Sequence, residues 1–295
     1  MGYLDKIHSM IMLTKPKVVL LMLFTAWVGM FLATHQLPVD QLSLVALIGI
    51  GLCAASGAAI NHLVDRELDG KMFRTRKRPL VVGKVTTNEA RVFAIVLLVI
   101  GSSVLFYFVN TLTMVLTVSG MLGYAVLYTG YLKYATTQNI VIGGLSGAIP
   151  PLLGWVAVTG HVDPRALLLM LIIFVWTPPH FWALALYKQQ EYAEGGVPML
   201  PVVYGDQLTK QFILLYSIIQ AVVTLLPFLT QMSGMIYLVG VVVLNIRFLQ
   251  LAYRLMVENN NRLGWKLFRF SIVYLFALFA LMMLDHYFYI RLQFL

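Results

Sequence analysis

Charged residues are scarce in this chain. Only 11% of its 295 residues are Asp, Glu, Lys or Arg, whereas 60% are hydrophobic and the mean hydropathy is +0.84. Soluble domains are about 25% charged and 45–50% apolar. The shortage of charge therefore excludes an ordinary soluble domain, and we expect a polytopic membrane protein.

Cysteine is scarce as well, and the first residues show no features of a cleavable leader. Cys53 is the only cysteine, and it lies in an apolar segment, so disulfides and Cys-built metal sites are excluded. Residues 1–5 have neither a basic n-region nor a small-residue cleavage site. We therefore expect no removable signal peptide, and we expect the first apolar segment to remain as a membrane span.

Long apolar segments fill most of the chain. A bilayer core of about 30 Å needs roughly 20 apolar residues per helix. Nine segments qualify, at about 17–34, 42–62, 91–109, 112–131, 139–159, 166–187, 210–229, 234–256 and 267–290. They predict an all-α integral membrane protein, a bundle of about nine transmembrane helices around a central cavity open to the cytoplasmic side. We expect one polytopic domain over residues 1–295, with its functional loops at about 63–90 and 188–209.

Proline pairs interrupt two consecutive segments. Pro150-Pro151 falls in the fifth segment and Pro178-Pro179 in the sixth, while Pro227 lies near the end of the seventh. Proline in a membrane helix frees backbone groups that a buried partner must satisfy. We therefore predict helix breaks at both pairs, and such breaks favour a cavity.

The basic residues are distributed unevenly between the two sides of the membrane. The net charge is +9, and all 21 Lys and Arg residues except Arg165 and Arg291 fall on the side of the N-terminus. Because basic loops stay inside, the N-terminus is predicted to be cytoplasmic and the C-terminus to lie on the opposite side. The basic charge is thus mostly a topology signal, and we expect no nucleic-acid partner.

A polar stretch follows the second apolar segment. If the helix continues through it, Asn61, Asp65 and Asp69 stand at i, i+4 and i+8, on one face. We call these three residues the oxygen ladder; its ends are about 12 Å apart. Hard cations such as Mg²⁺ take oxygen ligands and keep waters or substrate phosphates in their other positions. The ladder is therefore a candidate site for a divalent cation.

A basic run follows the ladder directly. It consists of Lys71, Arg74, Arg76, Lys77 and Arg78. Lysine and arginine suit phosphate oxygens, so carboxylates for a metal beside bases for a polyanion indicate a diphosphate site. The alternative is a solvated charged loop at a helix end, and the regular ladder spacing favours the diphosphate site.

The second polar loop lies on the same predicted face as the first. Six of the 12 acidic residues form two clusters in these loops, namely Asp65, Glu67, Asp69, Glu191, Glu194 and Asp206. Two acidic clusters on one face would grip a metal–diphosphate from opposite sides. The alternative is that acids collect in loops because the membrane interior excludes them.

His180 follows the second proline pair within an apolar segment. An ionisable residue inside the membrane is a functional candidate, and a neutral imidazole can ligate a haem-type metal or accept a proton. The alternative is a histidine satisfied by a neighbouring backbone carbonyl.

Several motifs occur together in order between residues 61 and 209. They are Asn61-x-x-x-Asp65-x-x-x-Asp69, Met72-x-Arg74-Thr75-x-x-Arg78-Pro79, Tyr128-Thr129-x-x-Leu132-Lys133, Gly147-Ala148-x-Pro150-Pro151, Trp176-Thr177-Pro178-Pro179-His180-Phe181-Trp182 and Gly196-Val197-Pro198-Met199-Leu200-Pro201. This series resembles the UbiA-type intramembrane prenyltransferases, and within them the branch that farnesylates haem. The chain departs from the family pattern at Tyr134, where an arginine is usual, and at Glu191, where an aspartate is frequent.

The resemblance implies transfer of a farnesyl group from farnesyl diphosphate to a vinyl group of haem b, which is a substrate and not a cofactor. It implies Mg²⁺ on the ladder and Glu191, with Asp65, Asp69, Lys188 and Glu191 as catalytic residues. The implied substrate-binding residues are Asn61, Arg74, Arg78, Lys133 and His180. We expect a bacterial inner membrane location, with a haem A synthase or a terminal oxidase as candidate downstream partners.

Two other functions compete with this one. The first is a UbiA-type enzyme that prenylates an aromatic quinone precursor, and the Pro-Pro-His-Phe-Trp element speaks against it. The second is a transporter, since broken helices also line transport pathways. Its weakness is that the polar residues cluster in loops and not at mid-membrane.

Overall fold

The computed structural model describes residues 2–34, 37, 39–73, 75–258 and 260–288. Within these ranges nine helical stretches are long and apolar enough to cross a membrane, and they are Pro16–Thr34, Gln41–Val64, Thr87–Phe108, Thr111–Ala135, Asn139–Thr159, Pro164–Tyr187, Leu200–Leu229, Met235–Val257 and Arg262–Phe288. The nine predicted spans are confirmed. The seventh span differs most from its prediction, because it begins about ten residues before the predicted segment 210–229. Its helix is bent at Gly205, which has non-helical backbone angles.

The individual helices are more numerous than the spans because some spans are interrupted. In chain order they are α1 (Tyr3–Leu13), α2 (Pro16–Thr34), α3 (Gln41–Val64), α4 (Arg66–Lys71), α5 (Thr87–Phe108), α6 (Thr111–Leu122), a π-helix (Gly123–Leu132), α7 (Lys133–Ala135), α8 (Asn139–Ala148), α9 (Pro150–Thr159), α10 (Pro164–Tyr187), α11 (Gln189–Glu194), α12 (Leu200–Val223), α13 (Leu226–Leu229), α14 (Met235–Val257) and α15 (Arg262–Phe288).

Side-chain caps fix where several spans begin. Before α3, the Asp40 carboxylate accepts a hydrogen bond from the Ser43 backbone N–H. Before α5, Thr86 and Glu89 form a reciprocal capping box. Such caps satisfy backbone donors that a helix start leaves unpaired. These caps start α3 and α5 at defined residues.

Glycine allows α2 and α9 to touch backbone to backbone. A Cβ atom added at Gly29 would lie 2.1 Å from the Pro151 carbonyl oxygen, and one at Gly154 would lie 1.8 Å from the Ala26 carbonyl oxygen. Small residues permit such close approach between membrane helices, where packing drives association. Neither position therefore accepts a larger residue without separating the two helices.

The two proline pairs have different effects. The fifth span is divided into α8 and α9 at Pro150, as predicted. The predicted break at Pro178-Pro179 is wrong, because α10 runs through both prolines. The Thr177 hydroxyl donates to the Ile173 carbonyl oxygen at 2.8 Å within this turn. A hydroxyl donor of this kind helps a membrane helix to tolerate proline.

The seventh span is interrupted just before Pro227, between α12 and α13. The Tyr237 hydroxyl donates to the freed Thr224 carbonyl oxygen at 2.7 Å, and the Asn245 amide donates to the Thr224 hydroxyl at 3.0 Å. The Tyr274 hydroxyl in turn donates to the Asn245 side-chain oxygen at 2.7 Å. This buried polar network stabilises the break by tying α12 to α14 and α15.

Candidate functional site

The oxygen ladder straddles a one-residue irregularity between α3 and α4. Asp65 has a ψ of 3° and separates the two helices, so the condition that one helix continues through the ladder is not met at this residue. The backbone N–H of Asp65 still donates to the Asn61 carbonyl oxygen at 2.9 Å, and that of Asp69 to the Asp65 carbonyl oxygen at 2.8 Å. The three ladder residues therefore keep helical i to i+4 backbone hydrogen bonds across the irregularity.

Asp65 is the most heavily bonded member of the ladder. Its side chain is buried, and its Oδ2 accepts from Lys133 Nζ at 2.6 Å and from Asn61 Nδ2 at 2.9 Å. Its Oδ1 accepts from the Tyr134 hydroxyl at 3.3 Å. The structure thus brings three predicted site residues together. Tyr134, which stands where the family pattern has arginine, contacts the same carboxylate.

A π-helix positions the residues that face Asp65. It covers Gly123–Leu132, and Lys133 follows it directly. Thr129 Oγ1 accepts from Asn61 Nδ2 at 3.2 Å and donates to the Tyr124 carbonyl oxygen at 2.9 Å. π-Helical turns are rare and often occur at functional sites. The hydropathy pattern carries no signal for this wider turn, so the sequence did not point to Tyr124.

Lys15 is a site residue that sequence reasoning missed. It joins α1 to α2 in a left-handed conformation with φ 49°, and its ammonium donates to Asn61 Oδ1. It also donates to the Tyr124 hydroxyl at 3.4 Å. Burial, and after it the charge of Arg78, lower the pKa of Lys15 from 10.5 to about 8. The available signal was a lysine at the start of the first span, which was interpreted only as topology.

Asp69 pairs with the end of the basic run. Its buried carboxylate accepts from Arg78 Nη1 at 2.5 Å, and its carbonyl oxygen accepts from the Thr75 hydroxyl at 3.0 Å. Arg74 lies outside the described residues. The other three basic side chains are exposed, and they are Lys71, Arg76 and Lys77. Only part of the run therefore reaches the ladder directly, and the exposed residues fit the solvated-loop alternative.

The second polar loop approaches the first through apolar contacts. Leu68 of α4 belongs to the same buried cluster as Val197, and a Cβ atom added at Gly195 would lie 3.0 Å from Leu68 Cδ1. Glu191 forms an ion pair with Lys188. Within the described part of the chain, no hydrogen bond joins Glu191 to the ladder. The two loops are adjacent, while Glu191 and the two ladder carboxylates have separate basic partners.

His180 is packed and hydrogen-bonded inside the bundle. Its ring stacks on Trp176 and Phe268, with centroid distances of 4.2 and 4.6 Å. Its Nδ1 lies 2.6 Å from Ser271 Oγ, and that hydroxyl donates to the Phe268 carbonyl oxygen at 2.6 Å. Because a hydroxyl has only one proton, Nδ1 must carry the proton of the first bond. This assigns a tautomer in which Nε2 keeps a lone pair.

His180 lies inside α10, before the second polar loop begins. It precedes Lys188 by eight residues on the same helical course, which is about 12 Å along the axis. The structure therefore does not join His180 to the ladder. The partner of Nδ1 is the Ser271 hydroxyl and not a backbone carbonyl, and the lone pair of Nε2 leaves the chemistry of His180 open.

The donor set suits a hard cation that brings further ligands with it. In the described ranges, no group of three His, Cys, Asp or Glu side chains could hold a metal ion unaided. The ladder offers two carboxylates and one amide oxygen, which are donors that Mg²⁺ prefers. Lys15, Lys133 and Arg78 face these two carboxylates, so positive charge is in excess and favours a polyanion.

Comparison with known proteins places this site in a family. The UbiA prenyltransferase family matches residues 22–283, which include the ladder, the π-helix and His180. The chain belongs to the UbiA prenyltransferase family. Nine apolar helices and this family membership together make it a multi-pass membrane protein.

Curated relatives resemble the chain over almost their whole length. The chain is 56% identical over 276 residues to "Protoheme IX farnesyltransferase" of Legionella pneumophila (strain Paris), covering 94% of both chains. It is 55% identical over 275 residues to the protein of the same name from Teredinibacter turnerae, covering 93% of this chain and 88% of the relative. It is 52% identical to "Protoheme IX farnesyltransferase 1" of Pseudomonas aeruginosa, over 93% of this chain and 92% of the relative.

Solved structures confirm the UbiA fold. A structure of digeranylgeranylglyceryl phosphate synthase superposes with a TM-score of 0.81 at 21% identity, covering 96% of this chain and 99% of that chain. A UbiA homologue from Archaeoglobus fulgidus bound to GPP and Mg²⁺ superposes with a TM-score of 0.65 at 16% identity, covering 93% and 99%. At these identities the likeness concerns the arrangement of helices.

Proposed function

We propose that this chain is a protohaem IX farnesyltransferase, which transfers the farnesyl group of farnesyl diphosphate to a vinyl group of haem b and so forms haem O. The observation that carries the proposal is the 56% identity, over 94% of both chains, to a relative of that name. The buried ladder with its excess of cations supports the diphosphate half of the reaction independently.

The ladder end of the bundle would bind the diphosphate. Asn61, Asp65 and Asp69 present oxygen atoms to Mg²⁺, a role supported by their residue types and by the Mg²⁺ reported in the Archaeoglobus homologue. Glu191 is the candidate ligand from the second loop. Phosphate oxygens would then meet Arg74 and Arg78 of the first loop, Lys188 at the start of the second loop, and Lys15 and Lys133 beside the ladder.

Cleavage of the bond between the farnesyl C1 and oxygen leaves negative charge on the diphosphate. Mg²⁺ supplies charge stabilisation to this leaving group when it is bound. Lys133 and Arg78 already lie beside Asp65 and Asp69, at 2.6 and 2.5 Å, so both cations are in the site before the diphosphate arrives. Catalysis by this chain therefore rests on preorganised positive charge around the leaving group.

The farnesyl C1 then forms a carbon–carbon bond with the terminal carbon of the haem vinyl group. Water adds to the other vinyl carbon and loses a proton, which leaves a hydroxyethylfarnesyl substituent. Apolar walls delay access of water to the allylic cation. The neutral His180, with Nδ1 held by Ser271, offers Nε2 as a haem-side contact or a proton acceptor.

The proposed orientation follows the basic residues. We assign the ladder end to the cytoplasm and the C-terminus to the opposite side of a bacterial inner membrane. The prenyl tail would lie in a cavity within the bundle, with the diphosphate at its cytoplasmic mouth. A haem A synthase or a terminal oxidase would receive the product.

The test uses purified protein with haem b, farnesyl diphosphate and Mg²⁺, and it resolves the haem pigments by chromatography and mass. We expect a haem that is heavier by one hydroxyfarnesyl group, and no product when a chelator removes the metal. Unchanged haem from folded protein would contradict the proposal. Aromatic quinone precursors are then tested as acceptors, and transport is tested after them.

A further inference from the structure

His62 is a buried histidine whose ring has no partner. It follows Asn61 on α3, it is 4% exposed, and neither Nδ1 nor Nε2 has a hydrogen-bond partner among the described residues. Buried polar side chains are nearly always hydrogen-bonded, and exceptions need an explanation. The members of the ladder beside it are all bonded. The unpartnered ring therefore points to a partner outside the part of the chain that the structure describes.

The surroundings of His62 indicate the charge of that partner. Arg78 and Lys15 are the charged groups that act on its ring, and each of them bonds to a member of the ladder. The buried His62 ring therefore follows the first ladder residue directly and lies within reach of two positive charges. Two positive charges near the ring favour a ligand that carries negative charge.

The hydrogen-bonding groups of imidazole indicate which anion would suit His62. A neutral imidazole has one N–H donor and one acceptor nitrogen. An N–H that is surrounded by cations and shielded from water bonds well to a charged oxygen acceptor. The anion that the proposed function brings to this cluster is a diphosphate, which has several such oxygens.

We propose that His62 is a diphosphate-binding residue, which donates its ring N–H to an oxygen of the bound prenyl diphosphate. This adds a neutral donor to the charged groups of the site. The proposal rests on the proposed function only for the presence of a diphosphate, and it does not depend on haem as the acceptor.

The experiment measures the Kd of Mg²⁺–farnesyl diphosphate, and separately of Mg²⁺–inorganic pyrophosphate, on the purified full-length protein. His62→Leu removes the donor, whereas His62→Asn keeps a side-chain N–H. We expect the leucine variant to bind both ligands about 10- to 100-fold more weakly. This ratio of Kd values corresponds to the free energy of one hydrogen bond to a charged group. We expect the asparagine variant to recover part of that loss.

A matched control tests whether removing any buried, unpartnered polar group would weaken diphosphate binding. Thr117 of α6 is also buried, and its hydroxyl also has no partner in the described part of the chain. Thr117→Val should leave both Kd values unchanged. If His62→Leu does not fold, His62→Ala makes the same comparison without added bulk.

Unchanged Kd values in a folded His62→Leu or His62→Ala variant would overturn the proposal and assign the ring to a buried water. A changed haem absorption spectrum with unchanged diphosphate binding would also overturn it, in favour of haem contact. A wild-type protein that binds pyrophosphate without farnesylating haem would refute the proposed acceptor. The His62 comparison would still stand in that case, so the two failures are distinguishable.

Discussion

Asp65 offers the sharpest test of the site, because its structural and chemical roles can be separated. The Asp65→Asn variant keeps the shape of the side chain and removes its charge. In the wild type this carboxylate is paired with Lys133 at 2.6 Å, and the two side chains are only 5% and 13% exposed. Breaking such a buried pair from one side leaves an unpaired charge, at a cost of about 3–5 kcal/mol of stability.

The catalytic effect is expected to be of similar size and separate origin. Losing one preorganised electrostatic group costs about 3–4 kcal/mol of transition-state stabilisation, which corresponds to a 10²–10³-fold loss of kcat. We therefore expect Asp65→Asn to lower both the melting temperature and the rate of haem farnesylation. The rate is measured at saturating Mg²⁺, so that a simple loss of metal affinity does not hide the effect on kcat.

The double variant Asp65→Asn with Lys133→Met distinguishes the two effects. It removes both charges, so most of the stability should return, since replacing a whole buried pair by apolar groups is often neutral. Activity should stay low because the carboxylate of Asp65 and the ammonium of Lys133 are both still absent. A stable double variant with nearly wild-type activity would refute the assignment of Asp65 to the metal–diphosphate site.

Four further predictions use the same assays. Lys15→Met should raise the KM for farnesyl diphosphate about tenfold and leave the KM for haem unchanged, because it removes a cation bonded to the ladder; equal changes in both would contradict this. Glu191→Gln should raise the Mg²⁺ concentration needed for half-maximal activity, with less than about 1 kcal/mol lost in thermal unfolding, because its pair with Lys188 is partly exposed; an unchanged Mg²⁺ requirement would remove Glu191 from the metal site. Tyr134→Phe should lower kcat only a few-fold, because the lost hydrogen bond to Asp65 is long at 3.3 Å; a loss as large as that of Asp65→Asn would show a larger role. Gly154→Val should lower the melting temperature strongly, because α2 and α9 must separate; a wild-type melting curve would mean that this contact is dispensable.

The fold could be predicted in outline because hydropathy alone dictates membrane spans. Nine segments of sufficient length were visible in the sequence, and the break at Pro150 followed from the chemistry of proline. The continuity of α10 through Pro178-Pro179 could not be predicted in the same way. Whether a proline breaks a membrane helix depends on local hydroxyl donors and packed neighbours, which the hydropathy pattern does not describe.

The candidate site could be predicted as far as its local spacing allowed. Asn61, Asp65 and Asp69 are separated by four residues, and helical geometry makes such residues neighbours. The contacts of Lys15 and Thr129 with Asn61 join residues 46 and 68 positions apart in sequence. Contacts of this kind depend on the packing of α2 and the π-helix against α3, and no local pattern encodes them.

The pairing of acids with bases at the ladder bears on how the site accepts its ligands. Buried carboxylates without a counter-charge would be protonated or would destabilise the fold. Lys133 and Arg78 therefore balance the charges of Asp65 and Asp69 and hold both carboxylates in position before any cation arrives. When a divalent cation binds these carboxylates, the same two basic groups are released from their only acidic partners in the described residues. They are then free to neutralise phosphate oxygens, so metal binding and diphosphate binding should strengthen each other, and titrating one ligand in the presence of the other measures this coupling.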